Sequence, residues 1–144
     1  MIITNEFKKY ESLKDLACSV KTTNVGGEGY ISFENPFDDS HLMIHEWADT
    51  ESIEDPDGSR GFHLIIEYNK NIDELDGAFY ELLKKALIYL KKNKKDWEYD
   101  EDTYKGQKSI DAYCISNDID YTSDESFDKS ARKMIYEILD NILD

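Results

Sequence analysis

Basic residues are scarce in this chain. It has 17 Lys and Arg against 32 Asp and Glu, a net charge of −15. A deficit of that size disfavours direct binding to a phosphate backbone or an anionic membrane as the main role. Cysteine is nearly absent: Cys18 and Cys114 lie far apart, fall in different expected elements and form no CxxC. Neither a disulfide framework nor a zinc site is therefore expected, and reduced thiols in a cytoplasmic protein are the simplest reading. No apolar run approaches the ~20 residues of a membrane span. The opening MIITNEFKKYESL lacks the continuous apolar stretch of a signal peptide. No linker, internal repeat or low-complexity tract interrupts the chain. Motifs are missing too: there is no G-x-S-x-G, phosphate-binding loop, dinucleotide fingerprint or HExxH.

What is present argues for a folded chain. Its 144 residues suit a single domain, 1–144, that can bury a real core. The hydrophobic fraction is 40%, and ten tyrosines would be out of place in a solvated acidic tail. Helical spacing of Phe7, Tyr10, Leu13, Leu16, Ala17 and Val20 predicts a first helix, capped by Thr4 or Asn5. TTNVGGEG, residues 22–29, breaks it. GYISFEN, HLMIHEWA (41–48) and GFHLIIEY (61–68) read as three strands. Leu75, Phe79, Leu82, Leu83, Ala86, Leu87 and Leu90 form the stripe of a second helix, whose lysine-rich end suits the helix dipole. DWEYDEDT (96–103) and KSIDAYCIS (108–116) form a hairpin. A capping box, Thr122 and Glu125, opens a last helix with Phe127, Ala131, Met134, Ile135, Ile138, Leu139 and Ile142 inward. The expectation is an α+β fold: an antiparallel sheet of about five strands with three helices, in the order α-β-β-β-α-β-β-α.

The charge is segregated. Residues 36–69 hold one basic side chain against nine acidic ones, and residues 96–144 hold five against fourteen. Residues 70–95 reverse the balance with seven against four. HEWADTESIEDPDG, residues 45–58, has no Lys or Arg before Arg60. Two contact zones for a basic protein partner follow. One is Glu46, Asp49, Glu51, Glu54, Asp55 and Asp57; the other is Asp118, Asp120, Asp124 and Glu125. Trp47, Trp97, Tyr99, Tyr104 and Tyr121 are the aromatic anchors nearby, with Trp97 and Tyr99 expected to turn inward.

Metal and catalytic readings fail on spacing. With Gly58 at position 6 of a calcium loop, Asp55 and Asp57 fit positions 3 and 5, but Ile53 and Leu64 fall at 1 and 12. His41 and His45 share a strand face and His63 lies on the neighbouring strand, a spacing too loose for a zinc motif. Asp57, Glu67 and Lys70 resemble the PD-(D/E)XK nucleases. There the acid and lysine stand two apart, on one strand face; here they stand three apart and Asn69 takes the lysine's place. No catalytic residue, cofactor or metal is expected, and a degenerate metal-dependent nuclease is the third alternative.

WEYDEDTYKGQKSIDAYCISNDIDYTSDESFDKSARKMIYEIL, a hairpin, an acidic exit and a terminal helix, resembles the class I effector chaperones of type III secretion systems. Element order, size and low isoelectric point extend that likeness along most of the chain. The resemblance implies a homodimer that holds an effector segment extended. Size and charge also match the profile of small acidic immunity and anti-defence inhibitors, some of which place carboxylates where DNA phosphates would lie. The leading expectation is a non-catalytic inhibitor of a basic partner, such as a nuclease toxin or a nucleic-acid-processing defence enzyme. The alternative is a chaperone-like module.

Overall fold

A computed structural model describes residues 2–13, 19–25, 28–35, 38–48 and 60–143. A 3-10 helix, Asn5–Ser12, precedes four strands: β1 (Ser19–Val25), β2 (Glu28–Glu34), β3 (His41–Ala48) and β4 (Arg60–Asn69). A short 3-10 turn leads to α1 (Ala78–Lys92), and another to β5 (Trp97–Tyr104), β6 (Gln107–Cys114) and α2 (Asp124–Leu143). All strand pairs are antiparallel and the order is β1-β2-β3-β4-β6-β5. The fold is α+β, with the elements in the expected order and one strand more than expected.

The extra strand is β1. Val20 fits the end of a helical stripe, but SVKTTNV is rich in β-branched side chains, which favour the pleated surface. It pairs with β2 along its whole length, from Ser19↔Glu34 to Val25↔Glu28. The first helix shortens accordingly to the 3-10 segment, with Phe7 buried. Glu11 ties that segment to β1 by accepting from Thr22 N at 3.0 Å and Thr22 Oγ1 at 2.7 Å. Leu16, Ala17 and Cys18 lie outside the described residues.

β4 and β5 run parallel with β6 between them, so their connection must cross over the sheet, and α1 makes that crossing. β5 and β6 are then joined by a tight turn. Lys105 (φ 49°) and Gly106 (φ 81°) both take left-handed conformations, as a type I′ hairpin requires.

Both α-helices pack on one face of the sheet. The strands turn Ile31, Phe33, Leu42, Ile44, Phe62, Leu64, Ile66, Ile110 and Ala112 to that side, all buried. α1 adds Phe79, Leu82, Leu83, Ala86 and Leu90, and α2 adds the seven side chains of its predicted stripe. Burying each large side chain stabilises by about 1.5–3 kcal/mol. Trp97 sits edge-on to Phe62 and Tyr89, and its Nε1 donates to the Tyr89 hydroxyl at 3.3 Å. Burial pushes the Tyr89 hydroxyl up to about 12 and the Cys114 thiol up to about 11. The N-terminal cap of α2 is Ser123, one residue beyond the expected Thr122: its Oγ accepts from Ser126 N at 3.1 Å. Thr122 instead donates to Asp120 at 2.7 Å. Among the described residues, no helix is long and apolar enough to cross a membrane.

Candidate functional site: the helix-free face of the sheet

Strand alternation puts a second set of side chains on the opposite face, where no helix lies among the described residues. The registers arrange them in rows. Tyr30, His45, His63, Tyr113 and Glu98 form one; Ser32, Met43, Ile65, Asp111 and Asp100 the next; Glu34, His41, Glu67, Ser109 and Asp102 the third. Among the described side chains this face carries six carboxylates, Glu34, Glu67, Glu98, Asp100, Asp102 and Asp111. Along β3, β4, β5 and β6 its strand positions include no Lys or Arg; on β1 the register sets Lys21 opposite Ser32. Lys108, with the opposite parity, pairs with Glu101 at 3.3 Å.

The face grades from half-buried at β3 and β4 to exposed at β5. Glu98, Asp100 and Asp102 are exposed, with Tyr104 70% and Tyr113 38% accessible beside them. The negative charge of Asp111 raises the Tyr113 hydroxyl above its usual range. Toward the β5–β6 turn the face dips into a groove of about 680 Å³ between Asp39, His41, Glu67, Asp102 and Tyr104, with Lys105 and Lys108 also at its wall. There Ser109 Oγ donates to Glu67 at 3.4 Å, and His41 Nδ1 lies 3.7 Å from the same carboxylate. Gln107 Oε1 is buried in this groove with no hydrogen-bond partner among the described residues.

In the middle of the face a polar chain crosses three strands. His63 Nδ1 donates to Asp111 Oδ1 at 2.6 Å, and His45 Nδ1 faces His63 Nε2 at 2.6 Å. Tyr113 stacks on His63 with 5.4 Å between ring centroids and a 12° tilt. The three histidines thus share a face, as expected, but only His45 and His63 come together.

The expected contact residues have mixed fates. Glu46 is 1% exposed and cannot serve as a surface contact. It shares parity with Leu42 and Ile44, so β3 turns it under the helices. There it accepts from Ile3 N at 2.7 Å and lies 3.8 Å from Arg60. Burial raises its carboxyl above the usual range, against the opposing pull of the Ile3 hydrogen bond and Arg60. Gly29 makes room for this packing: a Cβ there would stand 2.8 Å from Ile3 Cβ and 2.9 Å from Glu46 Oε2.

Asp124 is also part of this interior device. Arg60, buried against the Phe127 ring, reaches Asp124 at 3.2 Å and Asp128 at 3.1 Å. Those acids occupy the first turns of α2, where the helix dipole favours them. Asp118, Asp120 and Glu125 are exposed. Asp120 accepts from Thr122 N and Oγ1, which holds its carboxyl below the usual range. Asp49, Glu51, Glu54, Asp55 and Asp57 lie outside the described residues, as does the Trp47 side chain. Of the other anchors, Trp97 is buried as expected, Tyr99 is 37% exposed and Tyr121 46%.

In the sequence the β5 carboxylates add to the net charge but fall outside the two expected contact zones. Strand alternation was the signal that could have found them. Fold and face together define an acidic two-layer α+β protein with one helix-free sheet surface. Comparison with known proteins found no matching family model, no similar curated protein and no similar solved structure.

Proposed function

We propose that this chain is a non-catalytic binding protein for a basic protein partner, and that the β5–β6 side of the helix-free face is its contact surface. One observation carries the reading: Glu98, Asp100, Asp102 and Asp111 crowd the β5–β6 side of that face, with no Lys or Arg at its strand positions there, while the register sets Lys21 opposite Ser32 at the far edge of the sheet. Such a surface attracts and orients a positively charged cleft of the kind nucleic-acid-processing enzymes present. Tyr104 and Tyr113 supply exposed aromatic area among the charges, the composition typical of contact hot spots. An inhibitor of a nuclease toxin or a defence enzyme is the biological role that fits best. Asp118, Asp120 and Glu125 extend the acidic character beyond the end of β6.

The chaperone-like alternative draws on a different feature. β5 ends the sheet, and its outer edge can accept an extended segment as an added strand. Its exposed acids also suit the usual protection of an edge against aggregation.

The two readings separate in one experiment. Wild type and an E98K/D100K/D102K variant are used as bait in lysate of the native host, at low and high salt. The inhibitor reading expects a basic nucleic-acid-binding protein, retained at low salt, released at high salt and lost with the variant. A partner held at both salts by both baits would refute it and favour strand addition.

A further inference from the structure

We propose that His45 and His63 form a two-histidine site for a borderline divalent cation such as Zn²⁺, with Asp111 as the residue that positions it. The argument begins with the carboxylate. An ionised Asp111 only accepts, so the 2.6 Å contact places a proton on His63 Nδ1. The lone pair of His63 Nε2 is then directed at His45 Nδ1, 2.6 Å away on the paired strand. Two imidazole nitrogens aimed at one another share a single proton. A cation in that proton's place is bound by both.

The geometric demand is small. Zinc–nitrogen bonds of about 2.0–2.1 Å at a tetrahedral angle need the nitrogens roughly 3.3 Å apart. That is an opening of about 0.7 Å, within reach of small ring rotations. The rings lie 4.8 Å apart at 44°, already inclined rather than stacked. A carboxylate behind a ligating imidazole is the usual second partner of zinc-bound histidine: it holds the tautomer and raises the basicity of the ring. Tyr113, stacked on His63 with its hydroxyl 3.5 Å from Asp111, braces the same ring. The setting also favours a cation, with Asp100 directly opposite Asp111.

Imidazole selects Zn²⁺, Cu²⁺ or Ni²⁺ over Mg²⁺ and Ca²⁺. Among the described residues no set of three His, Cys, Asp or Glu converges on a common point. Water or an external donor would complete the coordination. The site stands independently of the basic partner.

The test titrates Zn²⁺ alone into the full chain, following the histidine ring nitrogens by NMR and the stoichiometry by calorimetry. One ion per chain is expected, with shifts at His45 and His63 and no competition from excess Mg²⁺. H45Q and H63Q should each weaken binding at least about tenfold, and D111N by about 10–100-fold. In the metal-free D111N protein, His63 should lose its single tautomer, a signature that mere loss of packing would not produce. The wild-type spectra decide the matter even if a variant fails to fold. Unmoved ring signals at millimolar Zn²⁺, undiminished binding in H45Q and H63Q, or displacement by Mg²⁺ would each overturn the proposal.

Discussion

The carboxylates around Arg60 and those along β5 share a chemistry and differ in everything that surrounds them. Glu46, Asp124 and Asp128 converge on one guanidinium, and Glu46 is almost wholly withdrawn from water. Glu98, Asp100 and Asp102 stand exposed on an edge strand, on a side of the sheet whose β5 and β6 positions carry no Lys or Arg. The first group has its charge turned toward one arginine, joining the start of β4 to the start of α2. The second has its charge directed outward. Net charge alone therefore says little about which acids meet a partner; strand parity and the position of a single arginine decide it.

The sharpest way to break the Arg60 cluster is R60A. Removing one member of a buried ion pair leaves the other without compensation, at a cost of about 3–5 kcal/mol. Asp124 and Asp128 can turn to water, so most of the loss falls on Glu46. Arg60 also pulls the Glu46 carboxyl down against its burial, so its loss lets that carboxyl rise further. Chemical denaturation should show the destabilisation to be larger at neutral pH than at pH 4. An equal loss at both would mean that packing against Phe127, not charge, is what Arg60 provides.

The next effect is on pH dependence. Because burial raises Glu46, the folded chain binds that proton more tightly than the unfolded chain does. Its stabilising contribution is complete below the ordinary glutamate range and is lost as pH rises through the raised value. E46Q keeps an acceptor for Ile3 N and removes the titration. Its stability between pH 4 and 7 should lack this decline, a slope difference of at most about 1.4 kcal/mol per pH unit. Parallel curves for wild type and variant in urea melts would show that Glu46 does not titrate in that window.

Much of this fold was legible, and the reasons are local. β3, β4 and the two α-helices carry their core residues at periods of two and 3.6, and the β5–β6 hairpin is marked by its glycine turn. β1 was hidden because Val20 satisfied a helical stripe, while the strand's partner is set by register with β2. Glu46 was misplaced for the opposite reason. Its parity with Leu42 and Ile44 was readable, but the run of acids that follows it suggested a common exposed role. The histidine pair was half legible: alternation put His41, His45 and His63 on one face. Which two would meet depends on the β3–β4 register, which sets His41 against Glu67 and His45 against His63. Asp111 was out of reach, because it arrives only after α1 has crossed the sheet and β6 has inserted beside β4.

The smallest effect expected is also the most discriminating between the two groups of acids. Asp100 lies directly opposite Asp111 on the neighbouring strand. Like charges in that position destabilise a pair, by about 0.2–1 kcal/mol. D100N should therefore stabilise the protein slightly, with a higher midpoint in urea and an unchanged slope, and the gain should shrink as salt screens the repulsion. Neutralising an acid would thus help on β5, whereas removing the arginine that neutralises Glu46 would harm. A carboxylate that opposes folding and faces outward is better explained by a partner than by the core. Should D100N instead cost stability, Asp100 would have a structural role of its own, and the contact surface proposed for β5 would shrink to Glu98, Asp102 and the tyrosines.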